Sequence, residues 1–186
     1  MILEPEKFEA NYPVIDAASR QTKVYKEQAG DEMILLRKEH DNLLAMQDKL
    51  AKNEILQSIL TGNVQAEVPM IGELASEMWK GKADLINIDE KLVIDLKTTS
   101  DIDKFFNSAK RYNYDSQAYI YRELFGYEMV FVVIDKNSHE LGFYDCSDNF
   151  YRNGKEKVQN AVFNYRMYWK DQANFDWDNY MRNETL

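Results

Sequence analysis

Two carboxylates and an ammonium group stand close together in one short stretch of the chain: Asp84, Asp95 and Lys97. Side chains alternate along a strand, so Asp95 and Lys97 share one face of Val93-Ile94-Asp95-Leu96-Lys97-Thr98-Thr99, and Ile94 and Leu96 share the other. The preceding segment runs from Gly81-Lys82-Ala83-Asp84 into a turn centred on Asp89-Glu90. If the two segments form a hairpin about that centre, Asp84 and Asp95 are equidistant from it and face each other, with Cβ atoms about 4.5–5.5 Å apart. Like charges so placed destabilise a sheet unless something intervenes. A divalent cation of the Mg²⁺ type, which takes carboxylate oxygens and keeps several waters, is the natural group to do so. Such an ion acidifies its bound water, and Lys97 on the same face can steady a hydroxide or the charge developing on phosphorus. Metal, water and ammonium together are what phosphodiester hydrolysis requires.

The register decides whether that chemistry is available. Asp89-Glu90 is not a favoured two-residue hairpin turn. A four-residue loop about the same centre keeps the two acids paired; a three-residue loop moves the register by one and splits them across opposite faces. In the second case the hairpin's acids and lysine simply face water.

The elements that must position these residues follow from periodicity and breakers. Helical spacing of Met33, Leu36, Leu43, Leu44 and Leu50 predicts a helix from Asp31, with His40 near its apolar stripe in a packing or surface role. A short helix follows over 54–60, closed by Thr61-Gly62. The period then changes, and 64–71, 74–79, 82–88 and 91–97 read as successive strands. Ser100-Asp101 opens a helical stretch with Phe105, Phe106, Ala109 and Tyr112 on its inner side, and 115–125 continues as a helix closed by Gly126. Two more strands are expected at 127–134 and 140–144. A final helix over 148–170 carries Tyr151, Val158, Val162, Tyr165 and Trp169 along one stripe. Strands flanked by helices on both sides in sequence predict an α/β domain with a central mixed β-sheet.

Composition narrows the function classes. The 186 residues carry 45% hydrophobic and 30% charged side chains, ordinary for one globular domain. Seven Gly and three Pro leave little material for a linker. No apolar run approaches the ~20 residues of a membrane span, and the N-terminus has no signal-like apolar stretch, so no membrane association is expected. One cysteine, Cys146, suits a reducing cytoplasm, and with two His it argues against zinc. The net charge of -9 runs against a nucleic-acid partner, yet net charge says little about local patches. Lys80, Lys82, Lys97, Lys104, Lys110, Arg111 and Arg122 gather near the acids, as a phosphate-binding strip or as ordinary solvated charges.

Asp84 followed by Asp95-Leu96-Lys97 at the end of a hydrophobic strand resembles the PD-(D/E)xK nuclease motif. Gly81-Lys82-Ala83-Asp84 is similar to the GxxD form of RecB-like members, and Gln117-Ala118-Tyr119-Ile120-Tyr121 to the QxxxY motif of those exonucleases. Leu3-Glu4-Pro5-Glu6-Lys7-Phe8 resembles a segment of phage RecE-like exonucleases, which digest double-stranded DNA ends for recombination. The likeness runs from about residue 3 to 170. It implies a restriction-endonuclease-like core, with Asp84, Asp95 and the backbone carbonyl of Leu96 as ligands of Mg²⁺ (Mn²⁺ as substitute) and Glu67 as a further acidic ligand. Lys97 would be the catalytic lysine, with Gln117 and Tyr121 on one helix face bordering the site, positioning Lys97 and the DNA.

The same resemblance implies duplex DNA ends as substrate, a single-strand annealing recombinase as partner, a homo-oligomer, and the cytoplasm of a bacterium or phage-infected host. Relatives of this kind carry a metal-associated His on a helix ahead of the Leu-Glu-Pro segment. His40 lies too late to match it, so the expectation is one domain over 1–186 without that helix. Besides an exonuclease, a structure-specific endonuclease, a DNA-binding or assembly module with little or no activity, and an acidic structural protein stay open. In the last two, Gln117 and Tyr121 pack a helix and Glu67 is an exposed strand residue. Phe105, Phe106, Tyr112 and Tyr114 are core residues or stack on bases of an opened strand.

Overall fold

The computed structural model describes residues 13–30, 32 and 34–170. The Leu-Glu-Pro segment, Asp31 and Met33 lie outside the described residues. Strand β6 (Glu128–Asp135) explains the architecture. Its Met-Val-Phe-Val-Val-Ile run is buried throughout, as a strand covered on both faces must be. It pairs in parallel with β5 (Leu92–Thr99) and antiparallel with β7 (Leu141–Asp145). β5 pairs antiparallel with β4 (Glu77–Asn87), and β4 with β3 (Val64–Leu74). The sheet is therefore mixed, in the order β3-β4-β5-β6-β7.

Helices cover both faces. On one, Met46 and Leu50 of α2 (Arg37–Ala51) and Leu56 of α3 (Glu54–Ile59) pack on Ile94, Val130, Val132 and Ile134. On the other, α4 (Phe105–Arg111), α5 (Tyr114–Phe125) and α6 (Asp148–Tyr165) bring Phe105, Ala109, Ala118 and Tyr151 against Val93, Met129, Phe131 and Val133. The parallel β5–β6 pair needs a crossover, which α4 and α5 supply. A mixed sheet covered by helices on both faces is the α/β architecture expected from the order of the elements. Ahead of it, β1 (Val14–Ile15) and β2 (Leu35–Leu36) form a small parallel pair beside α1 (Lys23–Ala29), which packs through Tyr25 and Ala29.

Several expected elements differ. Two long strands replace the three segments predicted between 64 and 88, because the break falls at Ala75-Ser76 alone. Both residues take the left-handed conformation (φ 54° and 59°) that a two-residue hairpin turn requires, without the usual glycine. Gly72 and Gly81 are not turns but strand positions pressed by Leu124 and Tyr121. Helix α2 begins at Arg37, since Leu35 and Leu36 pair with β1, and Leu44 points to solvent. Phe106 and Tyr112 are exposed rather than inner, as are Tyr165 and Trp169. The final α-helix stops at Tyr165 and widens to a π-helical turn over Arg166–Lys170. The α-helix lies close to α5 at Gly154, where a Cβ would run into the carbonyl of Asp115.

Candidate active site

The hairpin loop has four residues, Ile88 to Lys91, and the ladder pairs Leu85 with Ile94, Ile86 with Val93 and Asn87 with Leu92. This register places Asp84 opposite Asp95. Asn87 holds the loop, accepting from Glu90 N at 3.1 Å and donating to the carbonyls of Ile59 and Thr61.

Backbone pairing stops at the acids. The Leu85–Ile94 pair is the last between β4 and β5, and beyond it Asp84 Oδ2 accepts from Leu96 N at 2.9 Å. On the other side of β4, pairing with β3 lapses between Ala66–Leu85 and Val68–Ala83. Glu67 occupies that gap with φ 57°, an uncommon conformation for a side chain of this size. The alternation of faces slips here too. Ala83 and Ile86 both pack on the α5 side of the sheet, and Leu85 on the α2 side. Such irregularities re-aim side chains and gather next to active sites. By register Glu67, Asp84 and Asp95 occupy neighbouring positions on three adjacent strands, with the Glu67 carboxylate paired to Lys82.

Asp95 is the centre of the arrangement. It is 2% exposed. Gln117 Nε2 donates to its Oδ1 at 2.6 Å, and Lys97 Nζ stands 2.6 Å from its Oδ2. The lysine contact is an ion pair without hydrogen-bond alignment, which leaves Oδ2 buried and lacking a hydrogen-bonded partner. Burial pushes the Asp95 carboxyl above its ordinary range and Asp84's charge adds to that, while Lys97 and Gln117 oppose it. Lys97 keeps 20% of its side chain exposed and lies over the rings of Tyr114 (4.8 Å) and Phe131 (5.9 Å).

The two other motifs meet physically. Tyr121 donates its hydroxyl to the carbonyl of Lys82 at 2.8 Å. A Cβ on Gly81 would stand 3.1 Å from Cε1 of Tyr121 and 3.2 Å from Leu124. Gly81 therefore lets α5 lie close to β4, and that approach carries Gln117 to Asp95. Gln117 bonds to Asp95 rather than to Lys97. Sequence reasoning did not find Asp84's bond to Leu96, the Gly81–Tyr121 contact or the rings under Lys97, because each joins elements that only packing brings together. Of the expected basic strip, Lys82 pairs with Glu67, Lys104 with Asp101 and Arg122 with Glu128.

Asp84, Asp95 and the Leu96 carbonyl are the hard-oxygen donors that suit Mg²⁺, and the buried Oδ2 of Asp95, with the Lys97 ammonium 2.6 Å away, already faces a cationic group. Among the described residues no group of three or more His, Cys, Asp or Glu is gathered as a ready-made metal cluster. An apolar cavity of about 290 Å³ lies on the α2 side of the same strands, lined by Leu50, Leu56, Leu85, Ile94 and Leu96. It has no ionisable lining and no part in this chemistry.

A matching family model and a similar solved structure at a TM-score of 0.61 agree with a PDDEXK, restriction-endonuclease-like α/β fold. The model of a family described as a PDDEXK-like domain of unknown function (DUF3799) matches residues 1–176. Among solved structures, a candidate exonuclease from Eubacterium rectale is similar at a TM-score of 0.61 and 18% identity, over 87% of this chain and 69% of that one. A phage-related exonuclease from Haemophilus somnus gives a TM-score of 0.39 and 16% identity, over 84% and 88%. No curated protein sequence matches.

Proposed function

The chain belongs to the PDDEXK-like domain family of unknown function, and from that premise we propose that it is a metal-dependent deoxyribonuclease digesting the ends of double-stranded DNA. The observation that carries this reading is the convergence on one buried carboxylate: Asp95 receives Lys97 from its own strand and Gln117 from α5, with Asp84 near enough for its charge to act on it and bonded to Leu96 N–H. Asp84, Asp95 and the Leu96 carbonyl would hold Mg²⁺ or Mn²⁺, with Glu67 as a further acid nearby, and the ion so held would supply Lewis acidity and an acidified water.

Each protein group has its own task. Gln117 fixes the orientation of Asp95, and Tyr121 fixes α5 to β4 so that Gln117 reaches it. Lys97 offers an ammonium to a phosphate oxygen from a partly desolvated position, where its charge counts for more than in water. Action in phage-type recombination, in the cytoplasm and beside an annealing recombinase, is part of the same proposal. Among the described residues no helix is long and apolar enough to cross a membrane.

A second reading, a DNA-binding module on the nuclease fold, draws support from the absence of a gathered ligand cluster among the described residues. One experiment separates them. With Mg²⁺, wild type should release nucleotides from linear duplex and leave closed circles intact, and Lys97→Ala and Asp95→Ala should lose that activity while still binding DNA. Circles cut as readily as linear DNA would make the protein an endonuclease. Binding without hydrolysis in wild type as well would favour the module.

A further inference from the structure

The rings beneath Lys97 continue outward to the surface. Tyr114, under the ammonium, stacks on buried Phe131 with centroids 5.5 Å apart and planes 25° apart. Tyr112 stacks in turn on Tyr114 at 6.0 Å and 29°. Exposure rises along the series, from buried Phe131 through half-buried Tyr114 to Tyr112, which is 59% exposed. The chain path makes this possible: α4 ends at Arg111, Tyr112 caps it, and Asn113 in the left-handed conformation (φ 55°) turns directly into α5. The rings at 112 and 114 are thereby brought side by side.

Tyr112 belongs to no buried cluster, so packing does not account for an aromatic ring held parallel to its neighbour in solvent. Two cations flank it. Lys110 and Arg111 are exposed and have no carboxylate partner among the described residues, whereas Lys82, Lys104 and Arg122 each have one. The Arg111 guanidinium is 5.7 Å from the Tyr112 centroid, near the outer limit for a cation over a ring. At that distance the same guanidinium stands beside the ring, within reach of a phosphate next to a stacked base.

We propose that Tyr112 is a stacking platform for an unpaired base of the DNA strand whose phosphate lies at Lys97, with Lys110 and Arg111 receiving the neighbouring phosphates. This rests on the nuclease reading and adds to it where the strand leaves the site. Every base has a π-face, so the platform is tolerant of sequence, as an enzyme working along an end requires. Phe106 is more exposed still (74%), but it stands edge-on to Tyr144 and outside the stack under Lys97.

The test is a cycle between protein and substrate. Binding is measured with Ca²⁺ in place of Mg²⁺, using linear duplexes with three-nucleotide overhangs of either polarity. The overhangs are intact or carry one abasic site at each unpaired position in turn. At one position the abasic site should weaken wild-type binding on the order of tenfold, within the range for loss of one base–aromatic stack. Tyr112→Ala should cost the same, the two together no more than either alone, and Tyr112→Phe and Phe106→Ala should behave as wild type. Lys110→Gln and Arg111→Gln should each lower the salt slope by about one.

Additive losses, or no loss in either single change while wild type binds and cuts DNA, would overturn the platform and leave the nuclease reading standing. A wild-type protein that neither binds nor cuts DNA would end both. Tyr112→Ala removes an exposed side chain, and an unchanged melting temperature confirms that it folds.

Discussion

The carboxylate of Asp84 accepts the backbone N–H of Leu96 at 2.9 Å, where β4 and β5 have just ceased to pair. A side chain thus replaces the missing ladder bond. It holds open the gap between the strands and keeps its acid beside the carbonyl-bearing residue between Asp95 and Lys97. Asp84 thus has a structural role, and the chemical role proposed for it can be separated from that by substitution.

Asp84→Ala orphans the Leu96 N–H and should cost about 1–3 kcal/mol of stability by denaturant titration. Asp84→Asn keeps an oxygen acceptor in the same place and should fall by less than 1 kcal/mol, yet both variants should lose metal-dependent hydrolysis. If Asn destabilises as much as Ala, the bond to Leu96 depends on charge and the two roles are one.

At Gly81 β4 and α5 lie so close that a Cβ would stand 3.1 Å from the Tyr121 ring. Gly81→Ala should cost about 1–3 kcal/mol, as overpacking does, and should lower hydrolysis as well by moving Gln117 off Asp95. Gly72→Ala meets one Leu124 methyl carbon, a flexible side-chain end, and should be milder in both assays. Tyr121→Phe keeps the ring and loses only the bond to Lys82, about 1 kcal/mol. Equal activity in the Gly81→Ala protein and wild type would show that the spacing of α5 does not set the site.

Asp95 carries a pH signature. Burial first, then Asp84, raises its carboxyl in the folded state, so the folded protein keeps a proton that the unfolded chain releases at about pH 3.9. Stability from this group is therefore greatest at low pH, and falls as pH rises from that value through the raised one. Asp95→Asn lacks the slope. The stability of Asp95→Asn minus that of wild type should grow with pH across this interval and then level off, in urea titrations at successive pH values. A difference that shrinks with rising pH would mean that Lys97 and Gln117 outweigh burial.

Metal binding should be visible without catalysis. A ligand that binds only the folded state raises its stability, by about 2.7 kcal/mol at a hundred times its Kd. Mg²⁺ or Mn²⁺ should raise the melting temperature of wild type and of Lys97→Met, and chelator should reverse it. Asp84→Asn and Asp95→Asn should show little response. A rise that survives in both Asn variants would place the ion elsewhere.

What could be read in the linear chain was what local rules govern. Alternation put Asp95 and Lys97 on one face, and a loop symmetric about Asp89-Glu90 put Asp84 across from Asp95; the observed pairing of Leu85 with Ile94 has that centre. Helical spacing put Gln117 and Tyr121 together on α5. Tertiary packing decided the rest. The turn at Ala75-Ser76 has no glycine to announce it, and Gly81, which looks like a breaker, is a strand residue that admits Tyr121. The slip of faces at Asp84 and the unusual backbone of Glu67 arise where three strands meet, which no single segment encodes. Gln117 finds Asp95, and Tyr112 and Phe106 turn outward, only because α4 and α5 have one way to lie against the sheet. Pattern along a chain reports which residues share a face; close packing between distant segments chooses their partners.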